Sequence, residues 1–329
     1  MAEKVTNVTS ITEFLLMGLP DDQVLQTLYV TFFFLIYLAA LMGNLLTVTL
    51  TSTDQHLQSP MYFFLKNLAL NDICYISVIV PKSIVNSLTK SHSISFLGCA
   101  SQIFLFIFFA GTEYALLIVM SYDHYVAICQ PLYYEAIMNR GTCWQMVTAA
   151  WSSGCVYGSI HVAGTFSVRF CGPYIVHHFY CDVPSLLTLA CPGEHTLEYA
   201  FVIASCTLAS VCLLFLTAFY ICIFSAALRT PAAQGRFKTF STCVPHLTVV
   251  TLFLFSGNVT YLGTGYKSAS SLNVFMSVLY TMVPPSLNPL IYSLRNKAVN
   301  AALGKILLLK CYQKHKYPAV LKPPGRHTK

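Results

Sequence analysis

The sequence predicts an all-α membrane protein, a seven-transmembrane helix bundle followed by a short amphipathic C-terminal helix. Three observations carry that prediction. The chain of 329 residues is 56% hydrophobic and only 9% charged, whereas a soluble domain is about a quarter charged and could not cover its core with so little. Six charge-free runs, Gln23–Thr53, Ser91–Thr112, Thr142–Val168, Tyr199–Leu228, Thr239–Tyr266 and Ser268–Leu294, are each 22 residues or longer, and a spanning helix needs roughly 20. Lysine and arginine are unevenly placed: with the N-terminus outside, 14 of the 19 fall on the cytoplasmic side, as the positive-inside pattern requires.

Along the chain, residues 1–25 form a polar extracellular tail without the apolar core of a cleavable signal peptide, so the first span is expected to act as the targeting signal. Residues 26–294 are the seven-transmembrane domain. Its second span, Pro60–Pro81, is interrupted by Lys66 and Asp72, and charges inside spans are rare and usually functional. Continuously apolar runs imply helices rather than a barrel. Pro81, Pro245, Pro284, Pro285 and Pro289 each remove a backbone donor and predict kinks. Residues 295–329 are cytoplasmic. There Val299, Ala302, Leu303, Ile306 and Leu309 recur at helical spacing, which reads as an amphipathic helix on the inner leaflet. Cys311 beside it is a palmitoylation candidate, and the basic tail is placed to meet anionic lipid.

The net charge of +7 is a topology signal and implies no nucleic-acid partner. Four of the 13 cysteines, Cys99, Cys171, Cys181 and Cys191, fall outside, where an even count reads as two disulfides with three possible pairings. His177, His178, Cys181 and His195 form a rival metal set, open only if Cys181 is a thiol. Asn7-Val8-Thr9 is a glycosylation acceptor on the outer tail.

Three groups of residues carry the functional argument. Asp72 and Glu113 are the only acids deep in spans; with Asn44 and Asn288 they would make an oxygen-ligand cation site or, alternatively, a proton-sharing pair. Phe106, Ile107, Ala110 and Gly111 share one face of the third span. Ser121–Cys129 places Asp123, His124 and Tyr125 where a long apolar run stops. No HExxH, GxSxG or P-loop is present, so an enzyme is not expected. A transporter or channel remains the rival class; it needs a continuous polar path.

In six segments the chain resembles the olfactory receptors, rhodopsin-like G-protein-coupled receptors. These are Gly43-Asn44; Pro60–Leu65 with Leu68, Ala69 and Asp72; Ser121–Cys129 apart from His124; Lys238–Cys243 with His246 and Leu247; Pro285–Asn296; and Phe170–Pro173 with His178–Asp182 and Cys191. Tyr134–Met138 most resembles family 14. The resemblance implies disulfides Cys99–Cys181 and Cys171–Cys191, and a sodium-like ion at Asp72 and Glu113 as the one non-protein component, with no other cofactor. Ligand-facing positions would be Ala204, Ser205 and Leu208 on the fifth span, Leu254, Asn258 and Tyr261 on the sixth, and Tyr280 and Thr281 on the seventh, beside the third-span face. Most relatives have tyrosine where Leu254 stands. Activation would involve Asp123, His124, Tyr125, Tyr220, His246, Asn288, Pro289 and Tyr292. The implied partners are a small volatile odorant, a heterotrimeric stimulatory (olfactory) G protein and membrane lipid, and the implied location is the plasma membrane. His124 replaces the usual arginine, which pairs with the preceding acid at rest. The replacement implies weaker coupling or, if protonated His124 pairs with Asp123, coupling that depends on cytosolic pH.

Overall fold

A computed structural model describes residues 12–17, 22–89, 91–171, 173–191, 193, 196–229, 233–263 and 278–289. Strand β1 (Glu13–Leu16) precedes α1 (Gln23–Thr53) and α2 (Pro60–Thr89). Strand β2 (Ser93–Ser95) leads into α3 (Phe96–Cys129), followed by α4 (Tyr134–Ile137) and α5 (Arg140–Ser167). The outer loop holds β3 (Ile175–Val176) and α6 (Val183–Leu187), and α7 (Thr196–Arg229), α8 (Ala233–Gly263) and α9 (residues 278–289) complete the bundle.

Local chemistry sets the helix starts. Asp22 caps α1 by accepting from the Leu25 amide at 2.8 Å, Ser95 caps α3 through the Gly98 amide at 3.1 Å, and Asn139 caps α5 through Thr142 at 3.0 Å, each satisfying a donor that the first helical turn leaves open. Five of the described helices are long and apolar enough to cross a membrane. Helix α5 has the length, 28 residues, but its glycine, serine and histidine content makes it less apolar. Packing holds it: Gly154 and Gly158 lie flush on α3, where a Cβ would come 2.5 Å from the Phe108 carbonyl and 3.0 Å from that of Phe104. Helix α2 runs unbroken through Pro81.

Helix α3 is the axis, touching α2, α5, α7 and α8. Core residues such as Leu68, Leu116 and Leu117 are fully buried, while Leu28, Met42 and Leu214 are exposed on the outside, as hydrocarbon contact requires.

The outer end differs from the plain polar tail expected. Strand β1 lies between β2, antiparallel to it, and β3, parallel to it. Phe14 is fully buried against Phe96, Phe170 and Tyr174. Cys99 is bonded to Cys181 and Cys171 to Cys191, so Cys181 has no thiolate to give a metal. The Cys181 amide also donates to Gln102 Oε1 at 2.9 Å, and Ser83 Oγ donates to the Phe179 carbonyl at 3.2 Å. The loop is thereby pinned on α2 and α3.

Candidate functional site

Helices α3, α5, α7, α8 and α9 line a half-open cavity of about 310 Å³, at the small end of ligand pockets. Helix α3 contributes Ile107, Ala110, Gly111 and Tyr114, whose spacing of three and four keeps them on one face. Helix α5 adds Ser153, Tyr157 and His161; α7 adds Val202, Ser205, Cys206 and Ala209; α8 and α9 add Phe253, Leu254 and Tyr280. Gly257 makes room, since a Cβ there would sit 2.9 Å from the Tyr280 ring.

The lining is mainly apolar, with a few placed polar groups. His161 Nε2 lies 3.2 Å from Ser205 Oγ, and the Tyr114 hydroxyl donates to the Ala209 carbonyl at 2.9 Å. Phe106 is buried one residue before the lining residue Ile107 on α3. Its ring stacks on Tyr75 at 5.3 Å and meets Tyr180 at 5.5 Å and Tyr280 at 5.7 Å.

Of the ligand-facing positions named from sequence, Ile107, Ala110, Gly111, Ser205, Leu208, Leu254 and Tyr280 line the cavity. Phe106 and Thr281 are buried beside it, and Ala204 is exposed on α7. The side chains of Asn258 and Tyr261 lie outside the described residues, as do Asn7, His195, Tyr292 and Cys311. The α5 wall was missed. His161 within the charge-free run Thr142–Val168 was the available signal, and a lone histidine there reads equally well as packing.

Deeper in the bundle, Asn288 Nδ2 donates to Asp72 Oδ2 at 2.9 Å and to Glu113 Oε1 at 3.2 Å. Asn44 donates to the carbonyls of Ala40 at 3.0 Å and Pro285 at 2.8 Å. Asp72 Oδ1, Glu113 Oε2, Asn44 Oδ1 and Asn288 Oδ1 are buried without a hydrogen-bond partner. Buried polar atoms are normally satisfied, and an oxygen-only donor set suits a hard cation. The residues fit a sodium-like ion, and they equally fit one proton shared between the two acids.

Near the C-terminal end of α3 the Asp123 carboxylate accepts from the Tyr134 hydroxyl at 2.8 Å. His124 turns the other way: it is 5% exposed, and its ring meets His246 edge-on at 5.3 Å. The Tyr220 hydroxyl and His246 Nδ1 are hydrogen-bonded. In place of the Asp123–His124 pair that pH-dependent coupling would need, the structure has two separate contacts. Tyr125 packs on Phe219 at 5.3 Å, and Pro289 abuts the Gly43 position.

The sequence family described as olfactory receptor matches residues 33–310. This chain belongs to the olfactory receptor family. It is 50% identical to human olfactory receptor 14L1 over 91% of its own length and 92% of that protein. It is 46% identical to human olfactory receptor 14A16 over 94% of its length and all of the relative, and 48% identical to human olfactory receptor 14J1 over 92% and 94%. Membership makes it an all-α multi-pass membrane receptor and not an enzyme. It also implies odorant ligands and G-protein partners in general.

Proposed function

We propose that this olfactory receptor works at the plasma membrane with its N-terminus outside, binding a small, mostly hydrophobic odorant in this cavity. Tighter binding to the active helix arrangement shifts the population toward it, and the cytoplasmic end then activates a stimulatory G protein and raises cAMP. A sodium-like ion held by Asp72 and Glu113, with Asn44 and Asn288, would favour the resting arrangement by neutralising buried charge. The observation that carries the reading is the cavity: small, apolar, and shared by the five helices whose relative motion would have to transmit the signal.

The test is an odorant panel on surface-expressed protein, read as cAMP. Responses should be lost when Ala110→Phe fills the cavity at unchanged surface level. Unchanged responses in that variant would remove the cavity from the mechanism. A second reading, a receptor fold with weak coupling, draws on the burial of His124 against His246. Surface-positive receptor that stabilises on odorant binding yet raises no cAMP would favour it.

A further inference from the structure

The cavity's polar groups have a direction. Ser205 Oγ donates its one proton to the Phe201 carbonyl at 2.8 Å. The approach of His161 Nε2 to the same oxygen at 3.2 Å must then be a donation by the imidazole, because the serine has no second proton to give. A hydroxyl oxygen accepts through two lone pairs, so Ser205 retains one. The Tyr114 hydroxyl donates to the Ala209 carbonyl at 2.9 Å and also meets the Cys212 side chain. Ser153 repeats the pattern with the Ala150 carbonyl at 2.8 Å. Three hydroxyls of the cavity wall thus turn their protons onto backbone carbonyls.

We propose that the cavity selects odorants that donate a hydrogen bond, small apolar alcohols and phenols, over carbonyl odorants of the same skeleton that only accept. A ligand hydroxyl meets the open lone pair of Ser205 without disturbing any bond already made. A ketone is satisfied only by a proton already in use, the serine's on the Phe201 carbonyl or the imidazole's on Ser205. Either exchange trades one bond for another, since the Phe201 carbonyl keeps its helical bond from the Ser205 amide within α7, whereas the alcohol adds a bond and gives up none.

This inference rests on the odorant-receptor reading of the cavity. It is tested with matched pairs of secondary alcohol and ketone on one carbon skeleton. Each is titrated against surface-expressed receptor for cAMP and against solubilised receptor for unfolding temperature. The alcohols should be about tenfold more potent and give the larger thermal shift, and Ser205→Ala should erase the difference. Ketones equal to or better than their alcohols in both readouts would overturn the inference and leave the receptor reading intact. Absence of any response or shift from either member of every pair would count against both.

Discussion

The Tyr134 hydroxyl donates to Asp123 Oδ1 at 2.8 Å and so ties the connection after α3 to the acid near that helix's C-terminal end. The resemblance implies an arginine at the next position that would hold that acid. Here the phenol of the short helix α4 does, while His124 lies against His246. Burial, then the adjacent Asp123 charge, raises the tyrosine's pKa, so the proton that makes the bond stays in place across physiological pH.

Tyr134→Phe keeps the ring and deletes the bond. A hydrogen bond to a charged acceptor contributes about 1.5–3 kcal/mol. Basal cAMP, normalised to surface receptor, should rise severalfold in the variant; an unchanged basal level would show that the bond does not restrain the resting state.

Replacing His124 by arginine supplies a longer, permanently charged group that cannot remain in the apolar contact with His246. Odorant-evoked cAMP should increase in His124→Arg at matched surface expression. Because Asp123 already has Tyr134 as partner, the parent should show the same response at two clamped cytosolic pH values. A parent response that changes with pH, absent in the arginine variant, would revive a titrating Asp123–His124 pair.

Sodium dependence distinguishes the two readings of the Asp72–Glu113 site. If an ion binds the four unpartnered oxygens, replacing sodium by choline should lower the unfolding temperature of solubilised receptor, and Asp72→Asn should abolish that dependence. No difference between the salts would favour a shared proton.

The α3–α5 contact tolerates no side chain at Gly154, where a Cβ would meet the Phe108 carbonyl at 2.5 Å and overlap Thr112 Oγ1. Overpacking of this kind costs about 1–3 kcal/mol. Gly154→Val should sharply reduce surface expression, whereas Gly141→Ala, at the start of α5, should be mild. Cell-surface immunolabelling measures both.

Under the outer loop, His178 packs on Tyr180 at 4.6 Å and Phe179 at 5.2 Å. Burial lowers its pKa, opposed in part by Asp182. A histidine held neutral in the fold binds its proton more readily when unfolded, where its pKa is about 6.5. Its stabilising contribution is therefore complete above that pH and is lost as pH falls below it toward the lower folded value. Unfolding temperature should drop on acidification through this window, and His178→Gln should flatten the drop.

Much of the bundle was legible because apolar runs of membrane length have few alternative structures. The third-span face was legible from spacing alone, since Ile107, Ala110 and Gly111 line the cavity. The α5 wall was not: Tyr157 and His161 come into it only because Gly154 and Gly158 bring α5 close to α3, a contact between distant segments. Glu13–Leu16 is too short to announce a strand, and its partners lie beyond α1 and beyond α5. The Tyr134–Asp123 bond crosses a reversal of the chain, so periodicity carries no trace of it.

The strand at the N-terminal end has a consequence for biogenesis. β1 is synthesised before every helix, yet its parallel partner β3 emerges only after α1, α2, α3 and α5 have been made. Until then one edge of β1 waits with open backbone groups, the kind of edge that recruits stray strands. Completion of the outer surface is thereby a late event in synthesis, and the interval before Ile175 and Val176 arrive is when a nascent chain is most open to capture by chaperones or by its neighbours.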